Sequence, residues 1–342
     1  MAKEEIFLTL LDEKSIKEQV VLYRAAFNPD ESFEDNLTRW KKKHFENPLG
    51  NSLIIGAFIN NELVGMNAYM PVEYIINGKR IKMLQSCESG VLPTCQGKSI
   101  WKKVVTFALK YIKEETDYQI VIGFPNYKNS YPGFKKMGWQ TVTNMKNYVL
   151  LNSLSAFKRV FSNKNFLFRF ALNGILIQRI AYTFYKNKKY NIEQSQVDEL
   201  IWNENNKNIL TCAHSIELLK WKEDYKELKA LCIKEGKQTI ATCLYGLSTY
   251  NGTKIIKIER FECLKQYADK SKGIFARLIE YFSQSHPNAS FIRVWTQENS
   301  KMETLLKKML FIGSSHSNPF IVSNPDSIYA KTPWSLSFFD LD

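Results

Sequence analysis

The sequence predicts an α+β protein built from two similar domains, and three observations support this fold class. The chain has 342 residues, which is long for one domain and ordinary for two. Its 44% hydrophobic and 24% charged residues are typical of a globular protein rather than a disordered one. Helix and hairpin signals of the first half also recur in the same order in the second half. We therefore expect each domain to contain a mostly antiparallel mixed sheet flanked by helices.

The first half is predicted to begin with two amphipathic helices, at 15–27 and 33–45, whose apolar residues recur at helical spacing. A meander of antiparallel strands follows. Its clearest turn signal is Asn77-Gly78, since this dipeptide favours the tight turn of a two-residue hairpin. The predicted strands lie at 52–59, 63–70, 72–76 and 79–91.

A strand, a short loop and a long helix form the next predicted unit. The strand ends at Val91 and leads through Pro93 into a loop that contains Gly97 and Lys98. Gly97 permits a positive φ, and the N–H groups of the loop and of the first helical turn form a nest suited to an anion. Lys98 adds positive charge near such an anion. The elements from the loop onward are a helix at 99–114, a strand at 118–123, a helix at 126–137 and a closing strand at 141–151.

The second half repeats this order of elements in a degraded form. The Asn-Gly turn at 77–78 recurs at 251–252, and the Lys-Lys-Met sequence at 135–137 recurs at 307–309, at nearly the same separation along the chain. Fixed-offset similarity of this kind indicates an internal duplication. The predicted strands of the second half lie at 228–234, 239–249, 254–263 and 290–295, and its helices lie at 271–284 and 300–309.

The loop, and the Lys-Lys-Met-Gly-Trp corner that ends the later helix, resemble those of the GNAT superfamily of acyl-CoA-dependent N-acyltransferases. In that superfamily a V-x-P strand end, here at 91–93, leads into a Q/R-x-x-G-x-G/A loop that binds the CoA pyrophosphate. The pattern falls here on Gln96, Ser99 and Trp101, so both of its glycine positions are substituted. The resemblance covers residues 16–150 and, with the duplication, implies tandem GNAT-like domains.

The resemblance implies that acetyl-CoA, or another acyl-CoA, is the co-substrate and that no metal takes part. It places the pyrophosphate on the amides of the loop and the thioester carbonyl on a backbone N–H near the strand end. Asn126 matches the asparagine that opens the next helix and contacts the cofactor arm, although an asparagine is also expected there as a helix cap. The cofactor-binding residues so implied are Val91, Gln96, Gly97, Lys98, Ser99, Ile100 and Asn126. The second half lacks such a loop at 265–273, so we expect only the first domain to bind acyl-CoA.

Glu88 is the candidate general base, because it is the only carboxylate on the strand at 83–91. Partial burial beside Cys87 would raise its pKa toward a useful range. Strand alternation places Glu88 on the face away from Val91, unless a bulge near Gly90 shifts the phase. The alternative is a carboxylate that pairs with a lysine or hydrogen-bonds beneath the loop.

Tyr131 is the candidate acid that returns a proton to the CoA thiolate. Relatives often carry a tyrosine four residues before the glycine of the closing corner, and here that position holds Phe134, which cannot donate. Tyr131 lies about one helical turn earlier, and its alternative role is a wall of the core or of the pocket. A carboxylate at the end of the segment 333–342 is a further candidate base, against the alternative of a solvated tail.

Positive charge concentrates in one segment. The formal net charge is +13, and residues 151–192 include eight Lys or Arg residues and no Asp or Glu. Polar residues interrupt the apolar run of this segment too often for a membrane-spanning helix. We expect a basic helical linker packed between the domains rather than a helix in peripheral contact with a membrane. The predicted boundaries are 1–151 for the first domain, 152–194 for the linker and 195–342 for the second domain.

The resemblance therefore implies an N-acetyltransferase that acts on an amino group of a small molecule or sugar precursor, similar to bacterial tandem GNAT proteins. We expect the acceptor in the cleft between the domains. Two alternatives stay open: an aminoacyl transferase that uses tRNA, and a binding protein that retains the fold without catalysis. The basic segment lacks the pattern of alternating aromatic and basic residues that favours RNA, and DNA is not an expected partner. Six separated cysteines and four isolated histidines indicate reduced thiols, no zinc site and a cytoplasmic location.

Overall fold

Strands from both halves of the chain hydrogen-bond into one mixed, mostly antiparallel sheet. The computed structural model describes residues 5–27, 30–152, 189–202, 208–250 and 252–341, and within these ranges the sheet has 14 strands. The predicted α+β class, a mostly antiparallel sheet flanked by helices, is confirmed. No helix in the described ranges is long and apolar enough to span a membrane.

The first half starts with a strand that the sequence did not predict and then follows the predicted order. Its elements are β1 (Phe7–Leu11), α1 (Ile16–Phe27), α2 (Phe33–Phe45), β2 (Leu53–Ile59), β3 (Glu62–Ile76), β4 (Lys79–Val91), α3 (Ile100–Glu115), β5 (Val121–Gly123), α4 (Tyr131–Lys136) and β6 (Gln140–Leu151). The strands predicted at 63–70 and 72–76 are a single strand, β3. The helix predicted at 126–137 begins only at Tyr131, because turns occupy the residues before it.

The second half also follows the predicted order, with additional strands at both ends. Its elements are β7 (Tyr190–Ser195), β8 (Leu210–Cys212), α5 (Ile216–Lys226), β9 (Leu228–Glu235), β10 (Gln238–Tyr250), β11 (Thr253–Cys263), α6 (Ser271–Ser285), β12 (Phe291–Gln297), α7 (Lys301–Lys308), β13 (Ile312–Val322), α8 (Ile328–Lys331) and β14 (Trp334–Ser335). Most of the predicted linker, residues 153–188, lies outside the described residues. The helix that the sequence predicts between the domains therefore falls outside them too. The last residues of the linker, 190–194, belong to β7 rather than to a helix.

The closing strands of the two halves are exchanged. β13, from the second half, lies between β5 and β6, whereas β6, from the first half, lies between β13 and β12. β6 pairs antiparallel with β12 from Met145 to Leu151, and β13 pairs antiparallel with β5 at Ile321 and Val322. Each half therefore completes its sheet with a strand of the other half. This exchange fixes how the two halves face each other.

Phe320 anchors β13 in the core at this exchange. Its side chain is fully buried, and the centroid of its ring lies 4.9 Å from that of Phe124 and 4.7 Å from that of Trp334. Phe124 directly follows β5 of the first half, and Trp334 lies in β14 of the second half. One side chain of β13 thus packs on both halves at once.

We predict that Phe320→Ala destabilises both halves together. The loss of a fully buried aromatic ring costs about 3–5 kcal/mol of unfolding free energy. Denaturant titration should show the loss, and hydrogen exchange should show lower protection at Ile122 and Gly123 of β5, which pair with β13. Ile312→Ala on the same strand is the matched control, because Ile312 is 62% exposed and its truncation should cost only about 0.5 kcal/mol. Unchanged protection of β5 in Phe320→Ala would contradict the coupling.

Candidate active site

The candidate site begins where β4 separates from β5. These two parallel strands pair at Leu84, Gln85 and Ser86, opposite 121–123. β4 continues to Val91 while pairing with β3 on its other side. Among the described residues, no strand pairs with the edge of β4 that faces away from β3 between Cys87 and Val91, and we call this stretch the open edge. An open strand edge can donate and accept hydrogen bonds with an extended ligand.

A β-bulge lies in this open stretch, at Glu88. The strand register pairs Cys87 with Ala68 and Gly90 with Met66, so Glu88 and Ser89 together face one residue of β3. Glu88 takes a φ of +38°, in the left-handed region that non-glycine residues rarely adopt. The bulge considered from the sequence is thus present, and it changes the direction of the Glu88 side chain. Bulges of this kind often re-aim side chains next to active sites.

Glu88 forms a short ion pair with Lys43 of α2, and both groups are largely buried. Its other oxygen lies 3.4 Å from Nε2 of His44, whose Nδ1 is 2.9 Å from the Ser52 hydroxyl oxygen. Burial alone would raise the pKa of Glu88, but the Lys43 ammonium and the His44 ring outweigh burial and hold that pKa well below 4.5. The rise in pKa expected from the sequence is therefore not found. Glu88 therefore fits the alternative reading from the sequence, a carboxylate that pairs with a lysine.

The predicted CoA loop has the backbone that the sequence suggested. Gly97 has a φ of +83°, and Ser99, the cap of α3, also lies in the left-handed region at +58°. The side chains of 96–99 are exposed, whereas Ile100 is buried at the start of α3. The first N–H groups of a helix have no partner within the helix, and the Ser99 side chain makes no capping hydrogen bond. The N-terminal end of α3 therefore adjoins an exposed loop, which is the arrangement of a helix-terminus anion site.

Trp101 lies against α4. A Cβ placed on Gly133 would come within 2.6 Å of the Trp101 ring, so only glycine lets α4 approach this closely. The indole also meets Phe134 edge-on at 4.9 Å, and its N–H donates to the hydroxyl of Ser89 next to the bulge. The large residue at this family position therefore joins α3, α4 and the bulged strand.

Asn126 and Tyr131 lie at the start of α4. Asn126 is exposed, and its side-chain oxygen accepts the N–H groups of Lys128 and Asn129, so it caps the turn before α4. The hydroxyl of Tyr131 is 2.9 Å from the hydroxyl of Thr141 on β6. The Tyr131 ring packs against the core of the first half, next to α3.

A cleft of about 1330 Å³ lies between the two halves. Its lining from the first half includes Tyr23, Arg39, Lys43 and Glu88, and its lining from the second half includes Lys226, Lys257, Glu259, Phe338 and Leu341. The structure thus brings Glu88 and Phe338 and Leu341 of the C-terminal segment into one cleft. Tyr131 is not part of this lining. Asp342 lies outside the described residues.

Glu259 is a second buried carboxylate of the cleft, and sequence reasoning missed it. It is the extra residue of a bulge in β11, because Arg260 pairs with Leu244 and Ile258 pairs with Tyr245. Burial raises the pKa of Glu259, although the Lys226 ammonium, 3.5 Å away, opposes this. Five of the eleven residues of β11 are charged, so its sequence gave no signal that singled out Glu259.

Comparisons with known proteins give one family match and several similar folds. Residues 8–142 match the family model described as the acetyltransferase (GNAT) domain. No curated protein sequence matches the chain. A probable N-acyltransferase of Enterococcus faecalis has a similar structure, with a TM-score of 0.61, 11% identity, and coverage of 93% of this chain and 72% of that chain. A GCN5-related N-acetyltransferase of Anabaena variabilis has a TM-score of 0.61, 12% identity and the same coverage.

The N-myristoyltransferase of Saccharomyces cerevisiae, solved with bound myristoyl-CoA, is also similar. It gives a TM-score of 0.63 at 11% identity and covers 94% of this chain and 79% of its own. At such low sequence identity, the similarity to these structures shows a shared fold only. The family match rests on the sequence itself. Residues 8–142 therefore match the model of a GNAT acetyltransferase domain, and the chain shares its fold with these N-acyltransferase structures.

Proposed function

We propose that the protein transfers an acyl group, most simply acetyl, from CoA to an amino group of a small molecule or sugar precursor. The observation that carries this proposal is the open edge of β4, which runs from the bulge at Glu88 to the exposed loop at 96–99. A thioester and its pantetheine arm can lie along that edge while the pyrophosphate meets the loop. Acceptance of a fatty acyl-CoA by one structural neighbour supports the same class of co-substrate.

The cofactor would bind the first half only. Its pyrophosphate would rest on the amides of 96–100 with Lys98 nearby, Asn126 would contact the arm, and a backbone N–H near Val91 would polarise the thioester carbonyl. In the second half β11 leads instead into a 3-10 helix, Lys265–Lys270, that continues directly into α6. No positive φ occurs in the described residues 253–285. That region therefore offers no comparable loop.

The proposed reaction is direct attack of the amine on the thioester. The amine nitrogen forms a bond to the carbonyl carbon, the C–S bond breaks, and the sulfur leaves as CoA thiolate. The amine loses one proton to a base, and the thiolate gains one from an acid or from solvent. Binding both reactants in one cleft supplies proximity, and the β4 amide stabilises the charge that develops on the carbonyl oxygen.

We assign the proton-accepting role to Glu259 and a positioning role to Glu88. Glu88 is the base that the sequence suggested, but its lowered pKa makes it a weak proton acceptor that stays ionised at neutral pH. It can hold the amine by a hydrogen bond next to the thioester. The raised pKa of Glu259 suits proton removal better. Tyr131 remains the proposed acid, oriented by its hydrogen bond to Thr141.

The cofactor assignment predicts that Gly97→Asp weakens acetyl-CoA binding by at least about tenfold, or 1.4 kcal/mol. The new carboxylate would repel the pyrophosphate at the loop. Isothermal titration calorimetry with acetyl-CoA measures the effect. Gly78→Asp is the matched control, because Gly78 is also exposed, has a similar φ of +77° and has open space at its Cβ position. Equal affinities of the two variants would contradict the loop assignment.

The base assignment predicts a pH profile. A base must be ionised, so kcat/KM should fall as the pH drops through the pKa of Glu259, which lies above 4.5. Glu259→Gln should remove this fall, which is the acidic limb of the pH profile. It should also slow amine-dependent CoA release by about 100-fold or more. Glu88→Gln is the comparison variant and should lower the rate while keeping the limb, since the pKa of Glu88 lies below that window. A limb that survives in Glu259→Gln but vanishes in Glu88→Gln would assign the base to Glu88.

The tRNA-dependent alternative has no structural observation in its favour. It depends on the basic segment at 151–192, most of which lies outside the described residues. The non-catalytic alternative is tested by the same assays. Acetyl-CoA binding without any amine-dependent CoA release would favour a binding protein.

A further inference from the structure

The charges of the cleft are sorted by depth. Five of its acidic residues are exposed at the rim, namely Asp30, Glu31, Asp35, Asp224 and Glu227. Among the cations of the lining, Lys254 is exposed, Lys43 is buried, and the others are at least partly buried, namely Arg39, Lys42, Lys226 and Lys257. The buried acids of the lining, Glu88 and Glu259, pair with Lys43 and Lys226, respectively. The interior of the cleft therefore holds more positive than negative charge.

Lys257 is the cation in this interior that lacks a close acidic partner. It projects from β11 on the same strand face as Glu259, and no hydrogen bond or ion pair of its ammonium group is found within the described residues. Its direct cross-strand neighbour on β12 is Arg293, which carries the same charge. Like charges at directly paired strand positions are destabilising. The fold thus keeps a half-buried lysine in an unfavourable place.

The opposite wall adds a further cation. Arg39 of α2 lines the same cleft and donates to Glu31 at 2.8 Å and to the Tyr23 hydroxyl at 3.3 Å. Burial, together with the positive charges of Lys226, Arg293 and Arg39, lowers the pKa of Lys257 against the opposing effect of Glu259. Arg39 and Lys257 thus line one cleft from different halves of the chain, the first from α2 and the second from β11.

We propose that Lys257 and Arg39 form a subsite for an anionic group, a phosphate or a carboxylate, on the acceptor. The subsite deepens the proposed function, because it takes the cleft to be the acceptor site. An acceptor that carries an amine and an anion would place the anion between the two halves and its amine near Glu88 and Glu259. The guanidinium of Arg39 offers several donors in one plane, and the ammonium of Lys257 adds a charge from the facing strand. Amines that carry no anionic group would leave Lys257 without a partner and would bind more weakly.

The test is thermal unfolding of the full chain without any acyl-CoA, in sodium phosphate, in sodium acetate and in sodium chloride of equal ionic strength. Lys257→Met should raise the melting temperature in chloride, because it removes a half-buried charge that faces Arg293. In the wild type, phosphate or acetate should add on the order of 2 °C beyond chloride, and Lys257→Met should lose this increment. Lys229→Met is the matched control, because Lys229 is exposed on β9 and outside the cleft lining. It should keep the whole increment.

Comparison of the two anions distinguishes a phosphate from a carboxylate on the acceptor. An increment with phosphate alone assigns a phosphorylated acceptor, and one with acetate alone assigns a carboxylate. Arg39→Gln, on the opposite wall, should reduce the same increment in melting temperature. This variant replaces Lys257→Met as the test if Lys257→Met does not fold. Equal increments in all of these proteins, or none in the wild type, would overturn the proposal. Since no acyl-CoA is present, this result is independent of the Gly97→Asp titration that tests the cofactor site.

Discussion

The exchange of β6 and β13 is the constraint on which the rest of the structure depends. Each half lacks the strand that completes its own sheet and takes it from the other half. The backbone hydrogen bonds of these two strands cross the junction, and Phe320 packs on both sides of it. The two halves are consequently held in one relative orientation. A cleft between them can therefore present side chains of both halves to a single ligand.

The site uses two strand bulges, one in each half. Glu88 lies in a bulge of β4, and Glu259 lies in a bulge of β11. Their surroundings differ: Lys43 and His44 stabilise the ionised form of Glu88, whereas burial disfavours the ionised form of Glu259. Two carboxylates with pKa values shifted in opposite directions can take different parts in one proton transfer. The two strands thus bring carboxylates with oppositely shifted pKa values into one cleft.

Local features of the fold could be predicted from the sequence, and distant ones could not. The helix at 33–45 and the strand at 79–91 match the structure at both ends, because helical periodicity and an Asn-Gly turn are local signals. The exchange of β13 escaped prediction, since strand partners far apart in the chain are chosen by tertiary packing. The Lys43–Glu88 pair joins a helix to a bulged strand and could be stated only as an alternative. The roles proposed for Lys257 and Glu259 depend on the facing half, and the sequence of β11, with five charged residues among eleven, did not single them out.

The central claim is that acyl-CoA lies on the first half, with its thioester on the open edge of β4. A crystal structure determined after soaking with CoA tests this claim most directly. We predict density for the pyrophosphate on the amides of 96–100 and for the pantetheine arm along 87–91, ending at the cleft beside Glu88. Density for CoA at Lys265–Lys270 of the second half, or none at the loop under saturating CoA, would contradict the account.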